Sequence, residues 1–414
     1  MGISHYTCSV CGAEFSTQEA QYVCPRDGGN LTIHLDFESA AIKPDPDSIL
    51  QCREQSIWRY LPLLPVEDPG YHNTPLRQVG FTPVYQPAAL RQELDLRQLW
   101  IKDESRNPSA SFKDRASAVV TARMKMINQE IVVAASTGNA GAAAACMAAS
   151  AGLCAIIFAP RTAPQAKVAQ LLTYGAQVIL VDGTYDQAFD LSLAASETFG
   201  WYNRNTGYNP FTAEGKKTAA FEIWEQVLRH LPAASEPLTI YIPVGDGNII
   251  SGIHKGFKDL LALGWIESLP VLVGVQSEKS AAIANAFFAN ADTIAPVQAT
   301  TLADSISVDL PRDGLRALQA ARESKGYYVT VPDEEILKAI PELGKAGIFV
   351  EPAAAAAFAG LRKDLREGRL TPESPVLALC TGSGLKDVRA AISAVPSAPI
   401  IEPSIQALMK VIHD

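Results

Sequence analysis

Short runs of apolar, β-branched and aromatic residues recur along the chain at 84–85, 99–102, 131–135, 154–159, 177–181, 239–243, 271–276 and 376–379. Each is short enough to be a strand and is bounded by turn residues. Between them lie helix-length stretches that are amphipathic or alanine-rich, such as 116–127, 142–151, 165–174 and 215–231. Strand and helix alternating in this way predict parallel sheets joined by crossover helices, an α/β fold. No fixed-period repeat runs through the chain, which argues against a solenoid. The proline- and aspartate-rich stretch 36–75 predicts a linker that wraps over the body.

In open α/β sheets ligands bind where strands end and helices begin. The predicted junctions are therefore where chemistry is expected. After the run 99–102 comes Asn107-Pro-Ser-Ala-Ser-Phe-Lys113-Asp-Arg115. Ser111 reads as an N-cap, with Asp114 as its capping-box partner, which puts Lys113 in the first helical turn. A cation is disfavoured at the positive end of a helix dipole, so the Lys113 amine is expected to have a lowered pKa. A neutral lysine can form a Schiff base with a carbonyl compound.

Three further junctions combine glycine with polar groups. Ser136-Thr137-Gly-Asn139-Ala-Gly141 follows the run 131–135, and its amides and hydroxyls suit a carboxylate. Pro243-Val-Gly245-Asp246-Gly247-Asn248 follows the run 239–243, and its glycines let successive N–H groups converge on a phosphate. It is not a Walker A loop, and it lacks the spacing of a dinucleotide fingerprint. Thr381-Gly-Ser-Gly384 follows the run 376–379 and offers one hydroxyl where a planar ligand can approach. One lysine, a carboxylate cradle, a phosphate cradle and a terminal hydroxyl are together what a pyridoxal phosphate enzyme requires.

Composition narrows the partners. The formal charge is −9 with no basic run, which argues against a nucleic-acid surface. No apolar run is long enough to span a membrane and the first residues lack a signal-peptide pattern, so a cytoplasmic location is expected. Cys146, Cys154 and Cys380 stand singly in apolar runs and read as small buried hydrophobes. Cys8-x-x-Cys11 and Cys24-Pro-Arg-Asp27 have the spacing of a zinc ribbon with Asp27 in the fourth place. His5 or His34 are alternative ligands. With its thiolate set incomplete the extension reads as possibly degenerate, and no metal is assigned.

The motifs at Asn107–Arg115, Ser136–Asn139, Asn209–Thr218, Gly245–Asn248, Glu351–Ala355 and Thr381–Asp387 resemble, in order, those of the fold type II (tryptophan synthase β-like) pyridoxal phosphate enzymes. Within that family they are most similar to the threonine synthases, and the likeness covers nearly all of residues 70–390. The resemblance implies that Lys113 holds the cofactor and moves protons at the substrate's Cα and Cβ. It places Asn139 beside the pyridine 3-hydroxyl, Gly245, Asp246, Gly247 and Asn248 around the phosphate, and Thr381 at the pyridine nitrogen. A hydroxyl there makes the ring a mild electron sink, suited to elimination and replacement.

Ser136, Thr137 and Asn139 are implied to take the substrate carboxylate. Arg204 and Lys217, with Lys216 and Arg115 as further candidates, are implied for a second anion. The activity implied is lyase chemistry on O-phosphohomoserine, giving threonine and phosphate. The alternative is a β-replacing or β-eliminating enzyme, such as a cysteate synthase or an ammonia-lyase acting on serine, threonine or diaminopropionate. The fold implied is a zinc-ribbon-like extension at 1–35, a large cofactor domain at 36–125 plus 205–414, and a small substrate domain at 126–204 that closes on substrate. A homodimer is the expected assembly. Three departures from the family pattern stand out: Ala110 occupies a position usually held by glycine, the Gly245-Asp-Gly-Asn248 loop is shorter than in several relatives, and the second cysteine knuckle is broken at Asp27. Separately, the carboxylate of Asp246 is expected to turn away from the phosphate.

Overall fold

The computed structural model describes residues 2–37, 43–232 and 235–412. Within them, three sheets form. An antiparallel sheet of β1 (Ile3–Cys8), β2 (Glu14–Phe15) and β3 (Leu31–Leu35) has the order β2-β1-β3. The largest sheet contains β4 (Val84–Tyr85), β5 (Leu99–Asp103), β10 (Thr239–Pro243), β11 (Val271–Ser277), β12 (Tyr327–Val331) and β13 (Val376–Cys380). A third sheet contains β6 (Ile131–Ala135), β7 (Cys154–Pro160), β8 (Gln177–Val181) and β9 (Tyr202–Asn203).

The six strands run in the order β12-β11-β10-β13-β5-β4, parallel except for β4, and the four in the order β8-β7-β6-β9, all parallel. Every residue of β13 is buried, as parallel strands covered by helices on both faces must be. In the two larger sheets, two strands carry no counterpart in the sequence reading. Tyr202–Asn203 is too short to show a period, whereas Tyr327–Val331 is β-rich and was legible.

The stretch 36–75 lies over the body as expected, though residues 38–42 fall outside the described ones. Its side chains Ile57, Trp58, Tyr60, Leu63 and Leu64 are buried, so it acts as a packed strap. The N-terminal sheet is likewise fastened down. Tyr6, Leu31 and Ile33 share a core with Val119, Met124 and Phe211. No helix among the described residues is long and apolar enough to cross a membrane.

The helix Phe211–Gln226 is the central strut. It is buried from Phe211 to Trp224 despite carrying Glu214, Lys216, Lys217 and Glu222. Gly215 lets it meet the helix Lys113–Met126, since a Cβ there would lie 2.1 Å from the Arg115 carbonyl oxygen. Arg115 donates to Glu222 at 2.6 Å and to Glu104 at 2.7 Å, and Lys102 donates to Glu222 at 2.8 Å. These four side chains are fully buried. Their pairing ties the end of β5 to the strut and fixes the backbone on which Lys113 sits. Arg115, a candidate for substrate contact, is thus committed to this cluster.

The turn before Lys113 departs from the expected capping box. Ser111 forms a β-bridge with Gly382, so its chain is extended and its hydroxyl has no partner. The helix starts at Lys113 behind Phe112, while Asp114 accepts from the Ser109 N–H at 2.6 Å and from the Ser109 hydroxyl. Ala110 has φ +63°, in the left-handed region where a Cβ costs roughly 1–2 kcal/mol. That explains glycine as the usual residue of this turn.

Two stability measurements follow. Glu222→Ala leaves Arg115 and Lys102 charged in a dry core, and urea unfolding is expected to show a loss of about 3–5 kcal/mol; wild-type stability would show the cluster to be energetically idle. Ala110→Gly is expected to raise stability by about 0.5–1 kcal/mol, relief of strain outweighing the added flexibility of the unfolded chain.

Candidate active site

A cavity of about 860 Å³ opens between the two larger sheets, at the C-terminal ends of β5, β6, β10 and β13. It is lined by Lys113, the Ser136–Asn139 turn, Arg204, Lys216, the Gly245–Asn248 loop, Glu351 and Thr381. Lys217 is not among its walls. Its ammonium pairs with Glu214 at 2.6 Å and Asp259 at 2.8 Å on the opposite side of the strut.

Lys113 projects into the cavity with no hydrogen-bond or ion-pair partner among the described residues. Burial pushes its pKa down to about 8, with Arg204 adding to the effect and Asp246 and Glu351 opposing it. The turn that holds it is pinned to β13, because the Phe112 N–H donates to the Thr381 carbonyl at 2.8 Å and the Ser383 N–H to Ala110 at 3.1 Å. Gly382 is needed at this crossing: a Cβ would lie 2.3 Å from Glu351 Oε1.

Two helix N-termini face the cavity uncapped by any side chain. The first begins at Asn139, behind Gly138. Gly141 lets this turn close, since a Cβ there would lie 1.8 Å from the Ser136 carbonyl oxygen. The second begins at Asn248, behind Gly247 at φ +91°. A side chain at Gly247 would also strike Asp313 and Ala317. Such ends present unpaired N–H groups and a positive dipole to anions. The Asp246 carboxylate accepts from the Arg312 N–H at 3.2 Å. The Asn248 side chain is engaged by its neighbours, donating to Asp313 at 2.6 Å and accepting from Lys216.

Arg204 and Lys216 are both fully buried, and neither has a carboxylate within ion-pair distance among the described residues. Arg204 donates to the Ser117 hydroxyl at 3.1 Å and the Thr206 hydroxyl at 2.9 Å, while Nη2 has no partner. Burial lowers its pKa to about 10. Lys216 is lowered well below the ordinary lysine value by burial, reinforced by Lys113 and Arg204.

Glu351 is a wall residue whose role was not foreseen from its motif. It stands at the N-cap of the helix Pro352–Arg366 without capping it. Its carboxylate instead accepts from Asn139 Nδ2 at 2.7 Å. Burial raises its pKa to about 7, opposed by that hydrogen bond and by Lys113. The Glu-Pro start of an alanine-rich helix was the available signal.

This geometry has close relatives. Residues 76–382 match the family model "Pyridoxal-phosphate dependent enzyme". The chain is 37% identical over 410 residues to a threonine synthase of Methanocaldococcus jannaschii, covering 98% of this chain and 99% of that one. It is 36% identical over 414 residues to a threonine synthase of Methanosarcina acetivorans, covering 99% and 98%. In fold it is similar to the processed threonine deaminase isoform 2 of Solanum lycopersicum, with a TM-score of 0.64 at 21% identity over 89% of each chain. A cavity with an unpartnered lysine at a helix start, and a family match spanning most of the chain's length, lead to one conclusion: the chain belongs to the family of pyridoxal-phosphate dependent enzymes.

Proposed function

We propose that the chain converts O-phosphohomoserine and water to threonine and inorganic phosphate, as a threonine synthase. The observation that carries this reading is the number of anion sites. Pyridoxal phosphate brings one phosphate and any amino-acid substrate brings one carboxylate, so two cradles suffice for an ammonia-lyase. This cavity has the two helix N-termini and, in addition, a buried Arg204 with an orphaned Nη2. A third anion, the substrate's own phosphate, would satisfy it.

The residues fit the cofactor. Lys113 supplies the amine, Gly245, Asp246, Gly247 and Asn248 with Lys216 the phosphate cradle, and Thr381 a hydroxyl at the strand end. When bound, pyridoxal phosphate supplies an electron sink for negative charge beside the amino-bearing carbon. Around it, Ser136, Thr137 and the amides near Asn139 orient the substrate carboxylate. Arg204 holds the γ-phosphate, stabilising it as the Cγ–O bond breaks and the phosphate leaves. Lys113, poised near neutral pH, is positioned to move protons at Cα and Cβ. Glu351, accepting from Asn139 Nδ2, keeps that carboxamide oriented. Two units move around this site in our reading: the four-stranded sheet lies within 126–204 and the six-stranded sheet within 36–125 plus 205–414.

Purified, cofactor-loaded protein is expected to release phosphate and threonine in equal amounts from O-phosphohomoserine, and Lys113→Ala to release neither. Arg204→Ala is expected to retain the cofactor but lose about 10²–10³-fold in kcat/KM, the scale of one buried donor to a developing charge. Deamination of serine or threonine without any phosphate release would overturn the reading in favour of β-elimination.

The lowered pKa of Lys113 has its own signature. Its neutral fraction grows as pH rises through about 8, whereas ordinary lysines titrate near ~10.4. Cyanate labelling of cofactor-free protein, followed by peptide mass spectrometry, should therefore show Lys113 half-maximally reactive near pH 8. A profile matching surface lysines would refute the lowered pKa.

A further inference from the structure

The N-terminal sheet carries a second constellation outside the walls of the cavity. Two turns of the same construction face each other. In the first, Cys8-Ser-Val-Cys11-Gly12, the Gly12 N–H donates to the Cys8 carbonyl at 3.1 Å and the Val10 N–H to Cys8 Sγ at 3.3 Å. In the second, Cys24-Pro-Arg-Asp27-Gly28, the Gly28 N–H donates to the Cys24 carbonyl at 2.9 Å and the Arg26 N–H to Cys24 Sγ at 3.4 Å. Both glycines are left-handed, at φ +69° and +73°. Asp27 thus occupies the place that Cys11 holds in the first turn.

The four ligand atoms lie within 4.8 Å of one another. Cys11 Sγ and Cys24 Sγ are 3.8 Å apart, and Cys8 Sγ is 3.3 and 3.6 Å from the two Asp27 oxygens. Metal–sulfur bonds of about 2.3 Å and metal–oxygen bonds of about 2.0–2.2 Å in a tetrahedron require S···S edges of roughly 3.8 Å and S···O edges of roughly 3.5 Å. The Cys11–Cys24 and Cys8–Asp27 separations match these two edges. All three cysteines are free thiols. Three thiolates and one carboxylate in a tetrahedron select zinc over hard cations such as magnesium or calcium.

We propose that Cys8, Cys11, Cys24 and Asp27 bind one zinc ion in a tetrahedral site that holds the two turns of the N-terminal sheet together, the sheet being fastened to the body by contacts of its own. Binding releases the three thiol protons and leaves the Asp27 carboxylate as the one oxygen ligand. The ligand set is complete with aspartate in the fourth place, which revises the expectation of an unmetallated, possibly degenerate ribbon. The fastening has visible contacts. Asn30, beside the second turn, donates to the Gly207 carbonyl at 2.7 Å. Arg316 donates to the Leu31 carbonyl at 3.0 Å and forks onto Asp313 at 2.6 and 2.8 Å. Asp313 in turn holds Asn248 of the helix N-terminus at the cavity.

The test uses the full chain purified under reducing conditions without chelator. Metal analysis is expected to give one zinc per chain, released when the thiols are titrated with a mercurial. Cobalt(II) replacing it should show thiolate-to-cobalt charge transfer and tetrahedral d–d bands. Competition with a chromogenic chelator should show Asp27→Ala weakening zinc about 10–100-fold and Asp27→Cys tightening it at least about 10-fold, as a fourth thiolate would. Absence of stoichiometric zinc together with no cobalt charge transfer in the reduced protein overturns the site, as does a Cys11–Cys24 disulfide that persists in place of metal. Unchanged affinity in both Asp27 variants overturns the assignment of the fourth ligand.

Discussion

The cavity is built on buried positive charge that the protein itself does not neutralise. Elsewhere the chain pairs its buried cations with care: Arg115 and Lys102 share Glu104 and Glu222, and Lys217 and Lys255 share Glu214 and Asp259. Arg204 and Lys216, buried, and Lys113, half-buried at the cavity wall, are the contrast. An unpaired buried ion costs several kcal/mol, and it persists where a ligand of opposite charge completes it. Lys216 and Lys217 are adjacent on one helix and equally buried, yet Lys217 faces the carboxylates of Glu214 and Asp259 and Lys216 faces the cavity.

The scaffold around these cations makes the arrangement rigid. Parallel strands deliver four turns to one edge, glycines at 141, 215, 247 and 382 let backbones approach where a Cβ would collide, and two uncapped helix ends add fixed dipoles. The paired cluster around Glu222 holds the Lys113 helix against the strut. The unpaired charge that lines the cavity therefore sits on a frame held by paired charge.

Much of this was legible in the sequence, because strands and their following turns keep a local signature. The runs 131–135, 177–181 and 239–243 coincide with β6, β8 and β10, and the four polar turns after strands all reach the cavity. What failed depended on partners distant in the chain. Ser111 looks like a cap until Gly382 pairs with it across the sheet. Lys217 looks as suited to an anion as Lys216 until Asp259 is seen opposite it. Ala110 looks like a neutral replacement for glycine until its φ is known. Glu351 had a motif but no role, since its partner Asn139 lies 212 positions away.

The account rests on the claim that, with the cofactor in place, the cavity still holds an unfilled site for one more phosphate. Calorimetric titration of cofactor-loaded protein with inorganic phosphate addresses it directly. Saturable binding at one site per chain, weakened in Arg204→Ala and accompanied by a rise in thermal midpoint, is the predicted result. No binding to the loaded protein, or binding indifferent to Arg204, would contradict it.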